Sequence, residues 1–249
     1  MMGPDTTSER RPPVTTSTFT PGATTRPAGT GRLLLPDTSV LSASVLAQAV
    51  MTIDGRPIVL IDMDGVIAKW LPGVIRICGQ LAAEAGIENP LTLEHAAWEM
   101  MTGDPVRDEI VAAAMNHPDL YRVLEPEDGC IEALQLIQDE IGEVLFASTA
   151  MLANPMAHSA KAHWIAEHYG HDWHEKLILT HDKTTLRGVV LADDKHKITG
   201  RMKPLWQHIV YDRNYNQDTP GPRIHDWSEQ AIETIATTVE TRMHQLAAG

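Results

Sequence analysis

Basic residues are scarce in this chain: 20 lysines and arginines stand against 33 aspartates and glutamates, a formal net charge of −13 with the histidines neutral. A surface that coats nucleic acid needs the opposite excess, because phosphate backbones are held by Lys and Arg, so the charge argues against that class. Cysteine is equally rare. The two present, Cys78 and Cys130, lie far apart with no Cys-x-x-Cys spacing, which indicates neither a disulfide framework nor a zinc site and fits a reducing cytoplasm. No apolar run approaches the roughly 20 residues that span a bilayer, and the N-terminus lacks a signal peptide's compact apolar segment, so no membrane role is expected. The 249 residues suffice for one substantial core, or one core with a small accessory domain.

What is present is organised around Pro57-Ile58-Val59-Leu60-Ile61-Asp62-Met63-Asp64-Gly65. A short apolar run rich in β-branched residues reads as a buried strand, and it runs straight into two carboxylates and a glycine. Residues i and i+2 of an extended chain project to one side, so Asp62 and Asp64 can share a cation while Gly65 lets the backbone turn. The ordinary alternative is that both acids end a strand and cap the next helix. The rest of the chain decides between the two.

Residues 1–50 are rich in Thr, Ser, Pro and Gly and read as a disordered extension, with Leu33-Leu34-Leu35 and the stretch from Val40 to Val50 the parts able to dock. After the first strand, Val74, Ile77, Cys78 and Leu81 recur at helical spacing up to Gly86, and residues 90–125 read as short helical pieces between Pro90, Pro105 and Pro118. No strand pattern falls between Asp64 and Val144, which predicts a small helical insertion over residues 70–125. From Asp128 helix and strand alternate: strands at Val144–Ala147, Leu177–Leu179, Val189–Ala192 and His208–Tyr211, and a last helix carrying Ile232, Ile235, Val239 and Leu246 on one stripe. The pattern predicts an α/β fold, a three-layer doubly wound parallel sheet built from residues 51–69 and 126–249.

Ligands in such sheets sit at the carboxyl ends of the strands, so the residues that follow each strand are informative. The first strand ends in Asp62 and Asp64, the second in Ser148-Thr149, the third precedes Lys183, and the fourth ends in Asp193-Asp194. Each alone has an ordinary explanation as a cap, a turn or a solvated lysine. Chance, however, would scatter four such endings over both edges of the sheet.

These residues resemble the four motifs of the haloacid dehalogenase-like phosphatase superfamily, and within it the 5'(3')-deoxyribonucleotidases. The likeness is carried by Asp62-Met63-Asp64-Gly65-Val66, by Leu179-Thr180-His181-Asp182-Lys183-Thr184, by Asp193-Asp194 with Ile198-Thr199-Gly200, and by His208-Ile209-Val210 ahead of Asn214-Tyr215-Asn216. The resemblance implies a Rossmann-like core whose helical insertion is a substrate-selecting cap. It further implies that Asp62 is a nucleophile forming an aspartyl-phosphate, with Asp64 as general acid and base. Mg²⁺ would be held by Asp62, the backbone carbonyl of Asp64, Asp193 and Asp194. Ser148, Thr149 and Lys183 would bind the phosphoryl group, Trp70 and Tyr121 would stack a base, Trp98 being a looser candidate, and Lys195 would face the substrate. The substrate implied is a nucleoside monophosphate, and a homodimer is allowed.

The chain departs from that family where substrate binds. Ser148-Thr149-Ala150 stands for Thr-Ser-Pro, Met151-Leu152-Ala153 offers no counterpart to a family lysine, and Lys195 stands where Arg is frequent. A phosphatase for another small metabolite, or a non-catalytic binding module on the same fold, are therefore the alternatives. The histidines from His158 to His174 lack His-Glu-x-x-His spacing and read as one helix and its exit loop.

Overall fold

A computed structural model describes residues 43–94 and 99–248 of the chain. The Thr- and Pro-rich stretch through residue 42, including Leu33-Leu34-Leu35, and Trp98 lie outside the described residues.

Six strands form one parallel sheet: β1 Ile58–Ile61, β2 Glu143–Ser148, β3 Leu177–Leu179, β4 Val190–Asp193, β5 Gln207–Tyr211 and β6 Arg223–Ile224. Their order is β3-β2-β1-β4-β5-β6. The chain thus builds outward from β1 on one side and then returns to its other side, so order reverses at β1. Register aligns the strand ends. Ile61 pairs with Phe146 of β2 and Ala192 of β4, and the Asp62 amide donates to the Ala192 carbonyl at 2.9 Å. Asp62 and Asp193 therefore leave the sheet side by side, with Ser148 on the other neighbour of β1.

Side chains alternate across the strands, as the pleat requires. Val59 and Ile61 join Val144, Phe146, Val190 and Ala192 in the main core, together with the buried stripes of the helices. The other parity, Leu60, Ala147 and Leu191, packs with Leu186, Ile198 and Trp206 from the irregular connections around β4. The main helices are α1 Ala43–Gln48, α2 Trp70–Glu84, α3 Pro105–Met115, α4 Cys130–Glu140, α5 Ala157–Tyr169 and α6 Glu229–Ala248. Within the stretch expected to be an extension, α1 packs on α6, and Val50 is fully buried.

Between β1 and α4 the described residues fold into α2, α3 and a 3-10 turn at Leu120–Arg122, with no strand among them. Asp104 caps α3 by accepting from the Val106 and Arg107 amides, with Pro105 at the first helical position, where its missing N–H costs nothing. Two crossing bonds lace the base of this segment: Lys69 N–H donates to the Glu125 carbonyl and Glu127 N–H to the Ile67 carbonyl, each at 2.8 Å. Trp164 of α5 adds a bond from its indole N–H to the Leu124 carbonyl at 3.0 Å.

Candidate active site

The turn after β1 is built from its own backbone. Met63 O accepts the amides of Val66, Ile67 and Ala68, and Gly65 sits at φ +76°, a conformation costly for any side chain. A Cβ at Gly65 would also overlap the Asp194 carboxylate. Glycine is thus required both by the backbone and by the acid facing it. Arg213, leaving β5, donates from Nε and Nη2 to the Gly65 carbonyl at 3.0 and 2.7 Å, and pairs with Glu127.

Asp62, Asp193 and Asp194 converge here, all buried, with one carboxylate oxygen of each within 4.8 Å of the others. Lys183 bridges two of them: its Nζ lies 2.7 Å from Asp62 Oδ1 and 2.5 Å from Asp193 Oδ2. Burial pushes the Asp62 carboxyl up to about 6; Lys183 pulls it back, while Asp193 and Asp64 push it further. Burial, then the charges of Asp193 and Asp62, also raise Asp194 well above the ordinary carboxylate range, although Tyr215 donates a hydrogen bond to it. Lys183 loses affinity for its proton by burial but regains more from Asp62 and Asp193, so it stays an ammonium. One cation among three buried acids leaves negative charge uncompensated. An all-oxygen donor set of this kind fits a hard divalent cation such as Mg²⁺.

Two sequence blocks form one support for Lys183. Asp182 accepts from the Thr184 amide and hydroxyl and, on its other oxygen, from the Arg201 amide; the Met202 amide donates to Thr184 Oγ1 at 3.1 Å. A Cβ at Gly200 would overlap Asp182 and Thr184. The Asp-Lys-Thr and Ile-Thr-Gly segments accordingly depend on each other.

Asp64 faces away from the acid cluster. Its Oδ2 accepts from Tyr121 Oη at 3.0 Å and from Lys161 Nζ at 2.7 Å, while Oδ1 is buried with no partner. Lys161 also donates to Ser148 Oγ at 2.9 Å. Thr149 Oγ1 is engaged elsewhere, donating to the Thr180 carbonyl at 2.8 Å.

These groups floor a cavity of about 780 Å³. Asp62, Asp64, Ser148, Thr149, Lys183, Asp193, Asp194 and Lys195 all line it, as does Trp70 among the apolar walls with Leu71, Met100, Met115 and Met151. Tyr121 differs from the expectation of a base-stacking ring. It is 2% exposed and lies outside the cavity lining, because its ring packs into the core and only its hydroxyl reaches Asp64. The histidines form no metal-like cluster among the described residues.

Lys161 escaped sequence reasoning, yet it left a signal: Ala157, Lys161, Trp164 and Ile165 share the buried stripe of α5, where a lysine needs a partner. Reaching in from that helix, it stands beside Ser148, although residues 151–153 supply no lysine. Tyr215 and Arg213 were also missed as site residues, because nothing in the spacing of Asn214-Tyr215-Asn216 says that the turn folds back onto Asp194.

A family model described as 5' nucleotidase, deoxy (pyrimidine), cytosolic type C protein matches residues 56–239. A Bordetella pertussis protein carrying an unproven 5'(3')-deoxyribonucleotidase name is 31% identical over 178 residues, 68% of this chain and 91% of that protein. The human cytosolic-type 5'(3')-deoxyribonucleotidase is 29% identical over 194 residues, 71% of this chain and 92% of the human protein. Among solved structures, a haloacid dehalogenase-like protein of unknown function from Agrobacterium tumefaciens aligns at a TM-score of 0.46 and 12% identity, over 74% of this chain and 99% of that one.

Proposed function

The chain belongs to the 5' nucleotidase, deoxy (pyrimidine), cytosolic type C family of phosphate-ester hydrolases, and from that premise we propose that it is a Mg²⁺-dependent 5'(3')-deoxyribonucleotidase working through an aspartyl-phosphate on Asp62. The observation that carries the reading is the buried meeting of Asp62, Asp193 and Asp194 around a single lysine.

Phosphate esters resist nucleophiles because their oxygens are anionic, so catalysis rests on positioning and on neutralising charge. Asp62, Asp193, Asp194 and the carbonyl of Asp64 would hold Mg²⁺, which when bound neutralises charge on the nucleophile and the phosphoryl group. Lys183 restrains Asp62 through Oδ1 and supplies a second positive charge at the cavity floor. The Asp62 carboxylate attacks phosphorus, and as the bond to the sugar oxygen breaks, Asp64 gives that oxygen its proton. Asp64 then takes a proton from water as the water attacks phosphorus, and the Asp62–phosphorus bond breaks to release inorganic phosphate. Ser148 acts as the hydroxyl donor to the phosphoryl oxygens, since the Thr149 hydroxyl is held by the Thr180 carbonyl, and Lys195 acts as a cation beside them. The segment 70–125 acts as the cap that limits water, and Trp70 offers the face on which a base stacks.

The test is phosphate release from a panel of nucleoside 5'- and 3'-monophosphates and unrelated phosphomonoesters, with Mg²⁺ and with EDTA. Turnover of deoxyribonucleotides that vanishes in EDTA is expected. Cleavage of other esters but of no nucleotide would replace the substrate, undiminished phosphate release by Asp62→Asn would remove Asp62 as the nucleophile, and no release from any ester would leave only a binding module.

A further inference from the structure

Lys161 is a lysine with no solvent exposure whose ammonium touches Asp64, Ser148 and, at 4.7 Å from its centroid, the Tyr121 ring. Burying an ammonium is expensive unless every donor is used, so its partners say what it is for. Two of them belong to the site, and both come from strand ends rather than from α5 itself.

The geometry at Asp64 is lopsided. Lys161 and Tyr121 both donate to Oδ2, one from α5 and one from the segment between β1 and β2, and together they fix the twist of the carboxyl group. Oδ1 is left buried without a donor, a state that ordinarily destabilises and so marks an atom awaiting a partner. The geometry at Ser148 follows from chemistry. An ammonium has donors only, so Ser148 Oγ must accept from it, and the serine's own O–H is then left to donate elsewhere, into the cavity that Ser148 lines.

We propose that Lys161 is a positioning residue which, with the Tyr121 hydroxyl, holds Asp64 Oδ2 so that Oδ1 is the atom exchanging the proton with the leaving oxygen and then with water. This rests on the assignment of Asp64 as general acid and base. In the first half-reaction the proton on Oδ1 passes to the sugar oxygen as its bond to phosphorus breaks. In the second, Oδ1 recovers a proton from the attacking water.

A positioning role separates from a structural or phosphate-binding one by leaving group. p-Nitrophenolate departs without protonation, whereas an alkoxide does not. For Lys161→Met, kcat on an alkyl phosphate is expected to fall about 100-fold with KM within about threefold. The pre-steady-state burst of p-nitrophenolate is expected to stay within about threefold of wild type, since that step needs no acid. Tyr121→Phe, which removes one oxygen from a packed ring, should show the same split at about a tenth of the size and decides the matter if the lysine variant does not fold. Equal losses on both esters, or a raised KM with kcat intact, would overturn the proposal. A protein that cleaves glycerol phosphate but no nucleotide would instead refute the nucleotidase reading while the split is still measured.

Discussion

Replacing Lys183 by methionine keeps the length of the side chain and removes the one ammonium set between Asp62 and Asp193. In the wild-type protein the Asp62 carboxyl stands at about 6 against an ordinary 3.8. That difference corresponds to roughly 3 kcal/mol, and its sign matters: a raised carboxyl contributes stability below its unfolded value and loses it as pH rises from about 4 through 6. Lys183 is what limits the rise, so its loss deepens the penalty at neutral pH. Breaking a buried ion pair from one side costs about 3–5 kcal/mol. At about 2–4 °C per kcal/mol for a chain of this size, Tm in EDTA at pH 7.5 should fall by roughly 6–20 °C. The deficit should narrow as pH is lowered from 7.5 to 5, where the acids take up protons. Saturating Mg²⁺ should restore part of it, about 3 kcal/mol at a hundredfold excess over Kd. Thermal unfolding followed by circular dichroism over that pH range, with and without Mg²⁺, measures all three. A variant whose Tm stays within about 2 °C of wild type in EDTA at pH 7.5 would show that Lys183 does not compensate the acids.

Asp62→Asn should abolish phosphate release yet raise Tm in EDTA, because it removes one of three mutually repelling buried carboxylates; a Tm that falls would contradict the electrostatic account. Gly65→Ala forces a Cβ against Asp194 at positive φ, and a loss of at least about 1 kcal/mol by urea unfolding is expected, with weakened Mg²⁺ binding by calorimetry. Trp70→Ala should raise KM for nucleoside monophosphates by roughly 5- to 100-fold, the worth of one base–aromatic stack, and leave KM for p-nitrophenyl phosphate within about threefold. Unchanged nucleotide KM would assign Trp70 to packing alone.

The strands were legible because a parallel sheet buries both faces, so Ile58–Ile61 and Val190–Ala192 read as short apolar runs whose ends carry the chemistry. Their meeting was legible for the same reason: once the strands are parallel, the residues after them share one edge. β6 was not, since two residues carry no periodicity. Tyr121 and Lys161 show a different limit. An aromatic or a lysine in a helical region can be assigned to a face from spacing, but which atom its long side chain reaches depends on how α5 and the Leu120–Arg122 turn approach Asp64 in space. The apolar wall has the same origin. Met100 and Met115 lie on opposite sides of Pro105 in the chain and face one cavity only after α3 folds back.

The β1–β2 excursion is tied down at its laced base and again at the rim. The backbone departs at Lys69 and rejoins beside it at Glu125, and within the stretch the Tyr121 hydroxyl reaches Asp64 while the Leu124 carbonyl accepts from Trp164. Lengthening a closed loop is thermodynamically mild, about 0.6 kcal/mol per doubling. A stretch of another length therefore leaves the rim as it is only where Tyr121 and Leu124 keep their places.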